Sequence, residues 1–146
     1  MIKIVAVGKN NPALKDYEID LIRRIKRFSR FELIELKEDK SRTPAQIIEK
    51  EAIKILDRIK DGDKVYVLDI LGKSMDSVAF SEMFKEVADI TFVIGGAYGL
   101  SESVKKRADK LISFSLMTFN HQLARIMLLE QVYRGFSIIN GRKYHK

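Results

Sequence analysis

Three glycines that follow a short apolar run have the spacing of a ligand-binding turn. Residues Ile90–Ile94 are too few for a helix and suit a central strand, after which come Gly95, Gly96 and Gly99. Because glycine accepts positive φ and carries no Cβ, its backbone N–H and C=O groups can approach a ligand closely. The spacing therefore predicts a binding surface made of backbone atoms. The same residues are also typical of an ordinary turn that binds no ligand.

A second loop is predicted to leave the sheet beside this turn. Ser101 suits the cap of a helix, with Glu102 in the first helical turn, and a strand at Leu111–Ser115 follows. The loop after that strand ends at Asn120, the predicted cap of the last helix. Ligands of open parallel sheets lie beyond the carboxyl ends of the strands, so we expect a pocket between the two loops.

The inventory of side chains excludes several kinds of chemistry. The 146 residues include no cysteine, which excludes disulfides, thiolate zinc sites, iron–sulfur clusters and cysteine nucleophiles. His121 and His145 are the only imidazoles, and neither has another ligand at metal-binding spacing, so no metal is expected. The turn at residues 95–99 fits neither a dinucleotide-binding fingerprint nor a phosphate loop. The residues alone therefore leave the ligand unnamed.

The charge balance favours an anionic partner. The chain carries 27 Lys and Arg against 20 Asp and Glu, a net charge of +7. Residues 23–30 are the densest basic cluster, which suits nucleic-acid contact and a solvated helix end equally well, and residues 142–146 are a second basic patch. No apolar run approaches the roughly 20 residues that span a bilayer, and no secretory signal precedes the first strand. We therefore expect a cytoplasmic protein without membrane contact.

Short apolar strands alternate with amphipathic helices along the whole chain. This alternation predicts one α/β domain of residues 1–146, with a parallel sheet and helices on both of its faces. The predicted strands are Ile2–Val7, Phe31–Leu36, Val65–Ile70 with an exit turn at Gly72–Ser74, Ile90–Ile94 and Leu111–Ser115. The predicted helices have apolar stripes at Leu14–Phe28, Ile48–Ile59, Phe80–Val87 and His121–Phe136. Tyr17 and Tyr133 lie on such stripes, and we interpret both as core residues.

The last predicted helix is apolar over more than one face. A sheet covers only one face of a helix, so part of this surface would remain in water unless something else packs against it. Self-association of two chains through this helix is the favoured interpretation, and burial between other elements of the same chain is the alternative. The apolar side chains of the helix are Leu123, Ile126, Met127, Leu128, Leu129, Val132, Tyr133 and Phe136.

Four separated segments together resemble one known family. They are Phe92–Ser101, Met117–Arg125, Glu130–Arg134 and the closing pair Tyr144-His145. In this order they are similar to the SPOUT class of knotted methyltransferases, and most of all to the ribosomal large-subunit methyltransferase H family, nearly end to end. The resemblance implies methyl transfer from S-adenosylmethionine to N3 of a pseudouridine in large-subunit ribosomal RNA of the assembled ribosome. It also implies a homodimer with a C-terminal trefoil knot.

The resemblance further implies which residues form the site. Backbone groups of the two loops would contact the adenine, while Leu68, Leu116 and Phe119 would form apolar walls. A cationic pocket would favour the anionic form of the target base, and His145 is the candidate proton acceptor. The implied cofactor-binding residues are Leu68, Gly95, Phe114, Ser115, Leu116, Met117, Thr118 and Phe119. The candidates for the cationic pocket are Arg125, Arg142, Tyr144 and His145. His121 is interpreted as a helix-start residue.

The chain departs from the family pattern at three places. Ala97-Tyr98 stands where the family usually has Pro-Glu, Asn120 stands where proline is common, and Arg142-Lys143 precedes the final pair in place of His-Pro. Two alternatives therefore stay open beside the ribosomal enzyme. One is a SPOUT methyltransferase acting on another RNA, such as transfer RNA. The other is a non-catalytic RNA-binding or ribosome-assembly protein, which an absence of cofactor binding would reveal.

Overall fold

A five-stranded parallel sheet forms the centre of the computed structural model, which describes residues 1–85 and 89–146. The strands are β1 (Ile2–Val7), β2 (Phe31–Leu36), β3 (Lys64–Ser74), β4 (Ile90–Ile94) and β5 (Lys110–Ser113). Their order across the sheet is β2-β1-β4-β3-β5, and every pairing is parallel. The predicted α/β class with a parallel sheet is confirmed, and the predicted bounds of β1, β2 and β4 match those observed.

Among the described residues, four α-helices connect these strands and a fifth follows β5, and together they cover both faces of the sheet. They are α1 (Lys15–Ile25), α2 (Pro44–Leu56), α3 (Ser77–Glu82), α4 (Glu102–Arg107) and α5 (His121–Ile139). The capping prediction for α4 is confirmed, since Ser101 Oγ accepts a hydrogen bond from Val104 N. Asn120 Oδ1 likewise accepts one from Leu123 N at 2.8 Å and caps α5. Val87, which marked the end of the predicted third helix, lies outside the described residues.

Two apolar clusters lie on opposite sides of the sheet because neighbouring strand residues point to opposite faces. Ile4 and Phe92 belong to the cluster that packs under α1, α3 and α5. Val5 and Val93 belong to the cluster under α2 and α4. Helices therefore cover both faces, as predicted. No helix in the described part of the chain is both long and apolar enough to cross a membrane.

The observed length of β3 contradicts one prediction made from turn-forming residues. The expected exit turn at Gly72–Ser74 is wrong, because β3 runs on to Ser74 and pairs with β5 a second time. Leu68 and Lys73 both align with Ile112, so the residues between them form an excursion from the ladder. A Cβ on Gly72 would lie 2.6 Å from the backbone N of Ile112. The glycine therefore marks a close passage of two backbones rather than the end of a strand.

The two tyrosines interpreted as core residues have different environments. Tyr133 on α5 is half-buried and packs against the Phe28 ring at 6.2 Å. Tyr17 on α1 is 48% exposed, so its interpretation as a core residue is wrong. It lies at the border of the apolar stripe, and the next residue, Glu18, is the buried one. A polar partner elsewhere in the chain, described below, explains why a glutamate occupies the inner position.

Candidate functional site

The carboxyl ends of β4 and β5 and the middle of β3 enclose a cavity of about 700 Å³. One wall is the glycine turn after β4, from Gly95 to Leu100, and the facing wall is the loop between β5 and α5. Residues 68–70 of β3 and the first residues of α5 complete it. The volume lies within the usual range for small-molecule sites. The structure therefore has a pocket at the position that the two loops predicted.

The glycine turn requires glycine at two positions. A Cβ on Gly95 would lie 2.7 Å from Leu100 Cγ, and Gly99 has a φ of +87°, which other residues rarely adopt. Gly99 N donates to Gly96 O at 3.1 Å and closes the turn. Leu100 can therefore pack closely behind the turn, so that backbone atoms form part of the cavity wall.

The structure brings seven of the eight implied cofactor-binding residues into the cavity lining. They are Leu68, Gly95, Phe114, Ser115, Met117, Thr118 and Phe119. Two serine hydrogen bonds shape the loop: Ser113 Oγ donates to Ser115 O, and Ser115 Oγ accepts from Met117 N. Leu116 differs from the expectation, since it is 83% exposed and does not line the cavity. Its neighbours' polar contacts turn the loop so that Leu116 points outward.

Arg125 does not join the tail residues in a common pocket. Its guanidinium is 3% exposed and donates hydrogen bonds to Glu18 at 2.6 and 2.7 Å and to Glu35 at 2.6 Å. Burial alone would lower the pKa of Arg125, but the hydrogen bonds to the two carboxylates outweigh it and raise the pKa. The guanidinium is therefore cationic, but it is paired with two carboxylates and does not line the 700 Å³ cavity. Arg125 ties α5 to α1 and β2.

Two of the other three candidates meet on the outer side of α5. Tyr144 donates a hydrogen bond to Glu130 at 2.9 Å, and His145 Nδ1 lies 3.1 Å from Arg134 Nη1. Arg134 also lies over the Tyr144 ring at 4.7 Å and pairs with Glu130 at 2.7 Å. We call these four residues the tail cluster. Burial, followed by the bond to Glu130, raises the pKa of the Tyr144 hydroxyl.

The tail cluster is separate from the cavity within one chain. Arg142 is exposed, and its backbone N donates to Ser137 O at 2.8 Å. No residue from 142 to 146 lines the 700 Å³ cavity. Glu130 instead lines a second cavity of about 480 Å³, which shares the wall Ile112–Phe114 with the first. The tail candidates thus lie near the site but do not face it in the single chain.

One side chain in the cavity lining was missed by the sequence analysis, and His121 was named there only as a helix-start residue, which it is, at the first position of α5. Asp69 is the one carboxylate among the described residues of that lining, and it accepts hydrogen bonds from Leu71 N at 2.8 Å and from Lys105 Nζ at 3.1 Å. Burial would raise the pKa of Asp69, but these two contacts hold it below its ordinary value, so the group is ionised at neutral pH. His121 also lines the cavity, with Nε2 3.5 Å from Glu38 Oε1. The signal in the sequence that could have identified Asp69 is a carboxylate close to the end of the predicted apolar strand Val65–Ile70.

The basic cluster of α1 lies next to the tail. Arg23 and Arg24 both pair with Asp20, at 2.6 and 2.7 Å, so part of the cluster's charge is neutralised within its own helix. Arg24 also lies over the Tyr133 ring at 5.6 Å, and the Tyr144 ring meets the same tyrosine edge-on at 4.7 Å. Tyr133 therefore joins the two basic patches into one surface. No group of three metal-ligand side chains that could hold an ion occurs among residues 1–85 and 89–146.

Comparisons with known proteins agree on one family. Residues 1–145 match the family model described as "Predicted SPOUT methyltransferase". The chain is 46% identical to "Ribosomal RNA large subunit methyltransferase H" of Caldicellulosiruptor saccharolyticus over 154 aligned positions, covering 100% of both chains. It is 45% identical to the protein of the same name from Streptococcus mutans over 157 positions, covering 99% of each.

Solved structures show the same fold at low sequence identity. A ribosomal RNA small subunit methyltransferase E from Neisseria gonorrhoeae, solved with S-adenosyl methionine, has a TM-score of 0.52 and 8% identity, with 89% of this chain and 64% of that one covered. A tRNA (m1G37) methyltransferase from Aquifex aeolicus has a TM-score of 0.55 and 12% identity, with 91% and 69% covered. These likenesses concern the fold alone.

Proposed function

Because this chain belongs to the SPOUT methyltransferase family, we propose that it transfers a methyl group from S-adenosylmethionine to large-subunit ribosomal RNA. The target in this proposal is N3 of a pseudouridine. The observation that carries it is the cavity between the glycine turn and the β5–α5 loop, in a chain 46% identical along its full length to a ribosomal RNA large subunit methyltransferase H.

The cavity fits S-adenosylmethionine in size and in chemistry. Its volume suits a ligand of this class, and the turn and loop offer backbone groups for the adenine. Leu68 and Phe119 provide apolar contact, and the ionised Asp69 can accept hydrogen bonds from the hydroxyl or ammonium groups of the cofactor. The bound cofactor would supply a methyl group already activated by its positively charged sulfur. The chain itself must align the acceptor and accept its proton.

The tail cluster is the proposed source of the acid–base chemistry. N3 of a pseudouridine must lose a proton to accept a methyl group, and an imidazole is suited to take it near neutral pH. We assign this role to His145, with Tyr144 as its neighbour and Arg142 as a cation near the base. Arg134 and Glu130 hold the tail in place through the contacts given above. Arg125 is left out because its charge is neutralised.

A homodimer is part of the proposal. Four apolar side chains near the cavity mouth are exposed, namely Leu116, Met117, Phe119 and Leu123. A second copy of the chain would cover them, as exposed apolar groups beside a functional site commonly indicate an interface. The C-terminal trefoil knot also belongs to the proposal, and the close passage of Gly72 against β5 is compatible with such threading.

Recognition of the RNA would rely on a small basic surface. The cluster on α1 and the tail adjoin at Tyr133, which combines cationic groups for phosphate with aromatic rings for bases. This α/β domain offers the RNA one small basic surface, so the assembled ribosome, recognised by shape, is the proposed substrate. A cytoplasmic location follows from that substrate.

The test is transfer of radiolabelled methyl from S-adenosylmethionine to assembled ribosomes, free ribosomal RNA and transfer RNA. We expect label in large-subunit RNA within ribosomes, and a rate lower by roughly 100-fold in His145→Ala, because a proton acceptor is lost. Lys106→Ala, at an exposed lysine of α4 outside both basic patches, is the control and should retain the wild-type rate.

Other outcomes identify the alternatives. Label in transfer RNA alone would contradict the ribosomal proposal and favour another RNA target. No label together with no cofactor binding would indicate a non-catalytic RNA-binding protein, the alternative kept open by Ala97-Tyr98. An unchanged rate in His145→Ala would remove His145 as the proton acceptor.

A further inference from the structure

One oxygen of a buried carboxylate near the cavity has no hydrogen-bond partner among the described residues. Glu51 on α2 is 3% exposed and lies beside the aliphatic cluster that contains Val7, Ala52 and Ile55. Its Oε2 accepts a hydrogen bond from Asp39 N at 3.0 Å, which holds the loop between β2 and α2. Its Oε1 is buried and has no hydrogen-bond partner among the described residues. Such an oxygen is costly, because burial removes its water without replacing it.

The unpartnered oxygen faces the back of the glycine turn. A Cβ on Gly96 would lie 3.1 Å from Glu51 Oε1 and 3.1 Å from Val7 Cγ1. Gly96 also lines the cavity, so the same residue of the turn lies beside both the ligand site and the carboxylate. The turn itself carries no carboxylate, and Ala97 and Tyr98 at its tip are exposed. A small rotation of the turn would bring one of its backbone N–H groups to this oxygen.

We propose that Glu51 is a positioning residue for the glycine turn. When S-adenosylmethionine fills the cavity, a backbone N–H within residues 96–98 donates to Glu51 Oε1 and fixes the turn against the cofactor. Oε2 keeps its bond to Asp39, so the same side chain connects the turn to the β2–α2 loop. This inference rests on the proposed function, since it takes that cofactor as the ligand. The hydrogen bond that Glu51 Oε1 lacks without the cofactor is then made when the cofactor binds.

A carboxylate suits this role better than an amide of the same shape. Its two oxygens can accept from two donors at once, one from the β2–α2 loop and one from the turn. Glutamine has one acceptor oxygen and one NH2 group, so it can keep the bond to Asp39 only by presenting NH2 to the turn. Glu51→Gln therefore removes the second acceptor with little change in volume. Glu49→Gln changes the same charge on the exposed face of α2 and is the matched control.

The test measures binding and stability separately. In calorimetric titration with S-adenosylmethionine, we expect Glu51→Gln to raise the Kd about tenfold, because a charge-assisted bond made only in the complex is lost. The melting temperature without cofactor should change little, since glutamine keeps the bond to Asp39 and exchanges one buried unpartnered polar atom for another. Glu49→Gln should alter neither quantity. A wild-type Kd in Glu51→Gln would overturn the proposal.

Hydrogen–deuterium exchange of the turn amides separates positioning from a merely structural role. We expect the cofactor to slow exchange at residues 96–98 in the wild type and to have a smaller effect in Glu51→Gln at saturating cofactor. Equal protection in the two proteins would overturn the proposal even if Glu51→Gln also lowered stability. Absence of binding by the wild type would refute the proposed function itself, whereas wild-type binding with an unaffected variant would refute only the role of Glu51.

Discussion

Glu18 on α1 and Glu51 on α2 are both buried carboxylates on helices, but they differ in how completely they are bonded. Glu18 shares both oxygens with the guanidinium of Arg125, which also reaches Glu35. Glu51 uses one oxygen for Asp39 and leaves the other without a partner. The first group is complete in the single chain and holds three elements together. Glu51 lies beside the glycine turn that lines the cavity. We therefore expect its unpartnered oxygen to gain a hydrogen bond when the cofactor binds.

Replacing Arg125, the cation that Glu18 and Glu35 share, should have the largest effect on the free energy of unfolding. Arg125→Ala leaves Glu18 buried without a counter-charge, so we expect the free energy of unfolding to fall by about 3–5 kcal/mol. Urea unfolding followed by circular dichroism measures it. The double change Arg125→Met with Glu18→Leu should recover most of the loss, because no buried charge then remains. A loss below about 1 kcal/mol in Arg125→Ala would show that the two carboxylates are not held by this residue.

A smaller effect of opposite sign is expected at the incomplete group. Glu51→Leu replaces a partly unpartnered carboxylate with an aliphatic side chain next to an aliphatic cluster, so we expect the unfolding free energy without cofactor to rise by about 1 kcal/mol. The same urea titration measures it, with Glu49→Leu as the control on the exposed face. A destabilisation beyond the roughly 1 kcal/mol that loss of the bond to Asp39 N accounts for would mean that Oε1 is already bonded without cofactor, and the comparison with Glu18 would fail.

The smallest effect concerns Asp69, which is bonded on both oxygens and yet faces the cavity. Its folded-state pKa lies below the ordinary 3.8, so the contribution of its ionised form to stability is present above that value and is lost as the pH falls through the lowered pKa. Asp69→Asn should therefore reduce the unfolding free energy by roughly 0.5 kcal/mol at pH 7 and pH 5. The difference from the wild type should shrink at pH 3, measured by urea unfolding at each pH. A constant difference at all three would contradict the ionic explanation.

The sequence predicted those elements whose signal is local. Strands β1, β2 and β4 are apolar runs with turn residues at their ends, and their bounds were correct. The cap residues Ser101 and Asn120 were also correct, because a cap bonds a backbone group only three residues away. Strand β3 was cut short because Gly72 reads as a turn in the sequence. Only the passage of β5 beside it shows why a glycine is needed there.

The sequence predicted the site only at residues that lie in a local motif or in a segment that resembles the family. The glycine turn and the β5–α5 loop both line the cavity. The ion pairs of Arg125 were not predicted because its partners Glu18 and Glu35 lie 107 and 90 residues away, beyond any spacing rule. Glu51 gave no signal at all, since a glutamate among the polar positions of α2 looks like a solvent-exposed residue. Its role depends on Oε1, for which the described residues offer no hydrogen-bond partner.

The double pairing of β3 with Ile112 also has a consequence for the folding pathway. The edge strand β5 is held before and after the excursion of β3, so it can dock only once both parts of β3 are in place. The cavity combines residues 68–70 of β3 with the loop after β5, segments about 50 residues apart in the chain. Contacts between such distant segments close slowly, because the loop entropy is lost before they form. We expect ligand-binding ability to appear late in refolding, after most of the helical signal has returned.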